Sequence, residues 1–229
     1  ASAAPAAASS IQRGWMPGQM QDWKFTVNKV IEHAHINHGS REVVTRSVEG
    51  PIVRQTYSDL YWRARKCSNA LLADGVQKGD RIATLAWNTQ RHIETWYGTM
   101  CIGAVLHTLN PRLFPEQIAY IVEHAEDRWL FVDPAFVPLL EALKHRLGCV
   151  EGFVILGPAG AAAKTTLRNA VDYETLIAGE PDTFDWPELD ENSACSMCYT
   201  SGTTGNPKGV VYSHRALVLH TYGCLMPDV

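Results

Sequence analysis

The sequence predicts an α/β fold in which helices cover a mostly parallel sheet. Between about residues 80 and 157, short apolar runs alternate with stretches of helical spacing. That alternation is the pattern of strands joined by crossover helices. Apolar residues make up 46% of the 229-residue chain, enough for a substantial core in one large domain or two small ones.

The elements follow in order. Thr26 reads as an N-cap, with Val27, Val30, Ile31 and Ala34 at helical spacing and Gly39 as the stop. Residues 43–45 and 52–55 read as a hairpin around Glu49-Gly50. Ser58 reads as the cap of a second helix, whose Leu60, Ala64, Cys67 and Leu71 share a face and whose end is marked by Gly75. Residues 81–86 read as a buried strand. Asn88 then caps a helix with Ile93, Trp96, Tyr97 and Met100 on one side, and residues 103–108 form the next strand. Pro115 suits the first position of a helix carrying Ile118, Ile121, Val122 and Ala125. Strands at 129–132 and 153–156 flank a helix near 136–147. Residues 157–164 form a small-residue loop, and the acidic, proline-broken 182–192 reads as a surface connection.

Composition excludes several functions. A net charge of −4 with scattered Lys and Arg gives no basic footprint for nucleic acid. No apolar run reaches the 18 or so residues of a membrane span. Six cysteines in a chain of this length read as reduced thiols of a cytoplasmic protein. Cys195 and Cys198 form a lone C-x-x-C without a second pair to complete a zinc site. On a strand the two thiols are expected to face apart. His33, His35 and His38 read as solvated residues at a helix end rather than a metal site. Residues 1–17 open on a run of Ala, Ser and Pro without the basic and apolar regions of a secretory signal, and a disordered tail is expected there. The absence of an initial Met suggests a trimmed or processed chain.

The densest chemical signal is Tyr199-Thr200-Ser201-Gly202-Thr203-Thr204-Gly205-Asn206-Pro207-Lys208-Gly209. Glycines let backbone N–H groups approach an anion closely and adopt positive φ. The hydroxyls of Thr200, Ser201, Thr203 and Thr204 add donors, and Lys208 adds a mobile ammonium. This is equipment for a polyphosphate. It is not a Walker loop, because Pro207 stands where that loop needs its second glycine and Gly209 where it needs Ser or Thr. Residues 210–213 look like a strand, so the loop should join two strands, with Ser213 or His214 opening the next helix.

Residues 199–209 resemble the signature loop of the adenylate-forming superfamily. The continuation Val210-Val211-Tyr212-Ser213-His214-Arg215-Ala216-Leu217 is similar to its medium- to long-chain fatty-acyl-CoA synthetase branch. So are Leu109-Asn110-Pro111-Arg112-Leu113, Glu116-Gln117-Ile118-Ala119-Tyr120-Ile121 and His124-Ala125-Glu126-Asp127. The resemblance runs from about Gly18 onward. It implies an ATP-dependent acid–thiol ligase: a carboxylate attacks the α-phosphate of ATP, pyrophosphate leaves, and coenzyme A displaces AMP from the acyl-adenylate. It implies that Thr200, Ser201, Gly202, Thr203, Thr204, Gly205 and Lys208 grip the β- and γ-phosphates and that Thr200, with Thr203, approaches Mg²⁺; His214 is read as packing or capping rather than catalytic.

The resemblance also implies that residues 18–229 are an incomplete N-terminal portion of the large AMP-binding domain. The adenine, ribose, magnesium-glutamate and catalytic-lysine segments and the small C-terminal domain would lie beyond Val229. The 229-residue polypeptide alone is expected to be inactive, with exposed edges and apolar faces. The alternatives are a non-catalytic nucleotide-binding or interaction module, or a ligase for an aryl, short-chain or sulfur-containing acid. A homodimer is expected by analogy only.

Overall fold

The computed structural model describes residues 18–181, 183–200 and 205–226. Its centre is a seven-stranded sheet. The chain forms α1 (Asn28–His38), a two-stranded hairpin of β1 (Glu42–Arg46) and β2 (Ile52–Thr56), α2 (Tyr57–Ala73), β3 (Arg81–Leu85), α3 (Gln90–Met100), β4 (Val105–Thr108), α4 (Pro115–Ala125), β5 (Trp129–Val132), α5 (Val137–Leu143), β6 (Gly152–Ile155), β7 (Ala170–Asp172), α6 (Tyr173–Ala178), β8 (Ala194–Thr200), β9 (Lys208–Ser213) and α7 (His214–Cys224). The sheet order is β7-β6-β5-β3-β4-β8-β9, with only the β8–β9 pair antiparallel. The helix-covered, mostly parallel sheet expected from the sequence is present.

Strand side chains divide between two faces. Ala83, Leu85, Leu130, Val132, Phe153 and Ile155 pack with Ile118, Ile121 and Val122 of α4 and Leu140 and Leu143 of α5. Ile82, Phe131 and Val154 pack on the other face with Cys67 and Leu71 of α2 and Tyr173 and Ile177 of α6. Farther along, Leu106 and Cys195 meet Met100 of α3 and Val218 of α7. Each of these large apolar side chains contributes on the order of 1.5–3 kcal/mol by leaving water.

The helix caps differ from the sequence expectation. Thr56, two residues before Ser58, caps α2: its Oγ1 accepts from Asp59 N at 3.1 Å, while Asp59 Oδ2 accepts from Thr56 N at 2.8 Å. This reciprocal box satisfies two orphan donors, whereas one serine would satisfy one. Thr89, not Asn88, caps α3 by accepting from His92 N. Val27 opens α1 without a side-chain cap, and Thr26 is buried. The small elements β7 and α6 escaped the sequence reading because three and six residues carry too little periodicity.

Helix α3 buries polar residues. Ile93 and Tyr97 turn towards the α1 side, Trp96 is half-exposed, and Glu94, Thr95 and Thr99 are fully buried. Arg63 Nε donates to Glu94 Oε1 at 2.9 Å, and Arg63 Nη2 to Glu174 at 3.0 Å. Arg91 joins Glu174 at 2.8 Å to Glu49 of the hairpin at 2.9 Å. Four segments are thereby tied together, which offsets the cost of burying the charge. Burial pushes the Glu94 carboxyl above its ordinary range, against the pull of Arg63.

Two histidines are held neutral. His92 Nδ1 meets Trp87 O at 3.0 Å, and its Nε2 accepts from Thr84 Oγ1 and Trp96 Nε1, both at 3.0 Å. These partners assign the Nδ1–H tautomer. His214 Nδ1 accepts from Val27 N at 3.3 Å. His214 therefore packs the start of α7 against α1, in keeping with the packing role expected of it. His35 is not a solvated end residue: it stacks on Tyr61 at 4.2 Å and hydrogen-bonds Ser58 Oγ at 3.0 Å. The expected tail at 1–17 lies outside the described residues. No described helix is long and apolar enough to cross a membrane.

Helices α2 and α3 pack closely at Gly98, where an added Cβ would lie 2.8 Å from Cys67 Cβ and 3.0 Å from Ala64 O. Gly98→Ala should lower stability by about 1–3 kcal/mol in urea unfolding, although alanine favours helix. An unchanged midpoint would contradict this packing. A second expectation concerns pH. Burial lowers His92 and His214 from 6.5 to about 4, so stability present above pH 6.5 is lost as pH falls towards 4. Asp133, raised by burial from 3.8 to about 6, opposes this, because the folded chain takes up its proton first. Urea titrations across this range should show a shallower acid loss for His214→Asn than for the parent, and an equal slope would refute the assignment.

Candidate functional site

Strand β8 enters the sheet beside β4 through the parallel pairs Leu106↔Ser196, His107↔Met197 and Thr108↔Cys198. Its last residue, Thr200, therefore emerges at the carboxyl edge of the parallel strands, where ligands of open α/β sheets bind. Strand β9 returns antiparallel, pairing Tyr199↔Gly209 and Thr200↔Lys208. The loop thus joins two strands, as expected, and α7 follows with Ser213 as its cap, Oγ accepting from Ala216 N at 3.2 Å.

Of the seven expected phosphate-binding residues, Thr200, Gly205 and Lys208 are described; Ser201, Gly202, Thr203 and Thr204 lie outside the described residues. Thr200 and Lys208 face each other across the base of the loop, both exposed. Gly205 has φ +115°, a backbone conformation that excludes ordinary side chains. Pro207 is buried and fixes the turn into β9. Among the described residues Lys208 enters no ion pair, so its ammonium is free for an anion. Among the described residues there is no group of three His, Cys, Asp or Glu side chains able to hold a metal.

The base of the loop is built on Tyr199 and on three residues from elsewhere in the chain, His107, His124 and Asp127. Tyr199 lies over Gly209, where an added Cβ would sit 3.2 Å from the ring. Its hydroxyl meets His124 Nδ1 of α4 at 2.6 Å. His107 of β4 lies tilted against the same ring, 5.3 Å between centroids. His107 Nδ1 in turn bonds both carboxylate oxygens of Asp127, at 2.8 and 2.9 Å, and both residues are fully buried. Burial pushes the Asp127 carboxyl up, against the hydrogen bond from His107. It also pushes the Tyr199 phenol up, with the Asp127 charge adding to the effect. Only the side-chain proximity was missing from the sequence; the spacing of His107, His124 and Asp127 carries no signal by itself.

A register shift between Ala194 and Ser196 interrupts the alternation of β8. Cys195 packs with Leu106 and Val218, while Met197 packs with Val105 and Ala125. The simple alternation expected to set Cys195 and Cys198 apart does not run through this strand. Cys195 Sγ lies 3.6 Å from Tyr212 O and Cys198 Sγ 3.9 Å from the Tyr212 hydroxyl, and both thiols are free.

A family model described as AMP-binding enzyme matches residues 31–229. The chain is 46% identical over 208 residues to the 3-methylmercaptopropionyl-CoA ligase of Ruegeria pomeroyi, covering 91% of this chain and 39% of that protein. It is 44% identical over 213 residues to the medium-chain-fatty-acid–CoA ligase of Ectopseudomonas oleovorans, covering 93% and 39% respectively. It is also 44% identical over 215 residues to the long-chain-fatty-acid–CoA ligase of Thermus thermophilus, covering 93% and 38%. The chain spans about two fifths of the length of these relatives. A fatty acyl CoA synthetase of Mycobacterium tuberculosis shares the fold, with a TM-score of 0.71 at 22% identity over 90% of this chain and 38% of that one. The chain therefore belongs to the AMP-binding enzyme family, with fatty-acid–CoA ligases among its relatives.

Proposed function

We propose that the full-length gene product is an ATP-dependent acid–thiol ligase acting on an aliphatic carboxylic acid. Residues 18–229 would form the N-terminal portion of its nucleotide-binding domain. The observation that carries this reading is the facing pair Thr200 and Lys208 at the mouth of a glycine-hydroxyl loop, at the carboxyl edge of a parallel sheet.

The chemistry follows from charge. The acid's carboxylate attacks the α-phosphate and pyrophosphate departs, so negative charge grows on the β- and γ-phosphate oxygens. An ammonium and convergent hydroxyl and N–H donors at those oxygens favour the departing state over the ground state. Because Thr200 and Lys208 are held opposite each other on paired strands, they need little reorganisation when the bond breaks. Coenzyme A then displaces AMP to leave the thioester. The residues described here serve the first step. We expect the 229-residue polypeptide alone to release no acyl-CoA.

The relatives named for 3-methylmercaptopropionyl, medium-chain and long-chain acids are more similar to this chain than one named for 3-hydroxybenzoate, at 46% and 44% against 32% identity. This ordering favours an aliphatic acid, fatty or sulfur-containing, over an aromatic one. ATP–pyrophosphate exchange by the full-length gene product decides the point. Octanoate, palmitate or 3-methylmercaptopropionate should support exchange at least about tenfold above 3-hydroxybenzoate. Exchange with the aromatic acid alone would overturn the substrate class. Nucleotide binding without exchange on any acid would favour a non-catalytic module.

A further inference from the structure

We propose that Tyr199, held by His124 and by the buried His107–Asp127 pair, is a positioning residue that sets Lys208 and Thr200 against the phosphates of ATP. The inference deepens the ligase reading and rests on it for the identity of the anion.

Tyr199 and Gly209 are direct partners across the hairpin, and the next pair is Thr200 and Lys208. The phosphate-facing pair is therefore one residue beyond the aromatic one on both strands. The Tyr199 ring occupies the space that a side chain at 209 would fill, with Cζ, Cε2 and the hydroxyl oxygen 3.2, 3.3 and 3.4 Å from an added Cβ. Ring position and strand spacing are thus coupled: moving the ring moves the backbone that carries Lys208.

Three contacts hold that ring. His124 bonds its hydroxyl at 2.6 Å and meets it edge-on, 5.8 Å between centroids and 89° between planes. His107 presses on it from β4. Asp127 fixes His107 through two short bonds, and its own N–H donates to Val122 O at the end of α4. Helix α4 and strand β4 therefore reach the loop through one aromatic ring.

A wall of this kind could be apolar. Burying a histidine and a carboxylate costs free energy that apolar residues of similar volume would avoid. His107 Nε2 also has no hydrogen-bond partner among the described residues. The polar pair supplies what apolar packing does not, a fixed ring orientation. None of the four residues touches ATP in this account; they act through Gly209 and Lys208.

The test uses the full-length gene product, three single variants and the Tyr199→Phe/His124→Leu double variant. Tyr199→Phe keeps the ring over Gly209 and removes the bond to His124. His124→Leu removes the same bond from the other side. Gly209→Ala displaces the ring itself. Tyr199→Phe should weaken ATP binding, measured by calorimetry without acid, by about five- to tenfold. It should lower kcat/KM for ATP similarly, with the KM for the acid and the urea midpoint unchanged. The double variant should lose no more than either single one, because the two remove one interaction. Gly209→Ala should cost more than either. Unchanged ATP affinity in Tyr199→Phe, or losses spread equally over ATP and acid with a lowered urea midpoint, would overturn the proposal. Calorimetry reads the clamp even if no acid supports exchange, so failure of the ligase reading is distinguishable from failure of this one.

Discussion

The parallel pairing of β8 with β4 is the constraint on which the site depends. Residues 194–200 lie far along the chain from 105–108, yet three register pairs set them side by side. That pairing sends Thr200 out at the same edge as the ends of β3, β4 and β5. It also places the next strand, β9, so that Lys208 returns opposite Thr200. If β8 shifted by one residue, the side chains at 199 and 200 would exchange faces, and Tyr199 would leave the α4 side. The proposed phosphate grip and the proposed aromatic clamp behind it would both follow from one register.

Much of this was legible in the sequence, for physical reasons. The core strands are short apolar runs bounded by turn residues, and their order of alternation with helices identifies a parallel sheet. Pro115 marked the start of α4, and Gly50 the hairpin turn. The loop was legible because glycines, hydroxyls and one lysine have little reason to cluster except around an anion. Its position between two strands followed from the β-branched run after Gly209.

Other features were hidden because they depend on partners distant in the chain. The caps at Thr56 and Thr89 lie within one or two residues of equally suitable Ser58 and Asn88, and local composition does not choose between them. The apolar stripe of α3 suggested a helix buried on that side, but Glu94 is fully buried by virtue of Arg63 on another helix. The bulge in β8 breaks an alternation that the sequence shows as unbroken. The Tyr199 clamp draws His107 from β4, His124 from α4 and Asp127 from the turn after α4, and no periodicity links them.

The apolar surface is unevenly distributed. Val211 of β9 is 58% exposed and Leu225, just past α7, 76%. The edge strand that carries Lys208 therefore presents side chains suited to further packing. At the start of that strand, Lys208 is proposed to hold the pyrophosphate side of ATP and not the AMP side. Calorimetric titration of the full-length gene product and Lys208→Ala with ATP and with AMP tests it directly. ATP affinity should fall about 10- to 150-fold, the cost of losing a charged hydrogen bond, while AMP affinity stays the same. Equal losses for both nucleotides, or none for ATP, would contradict the account.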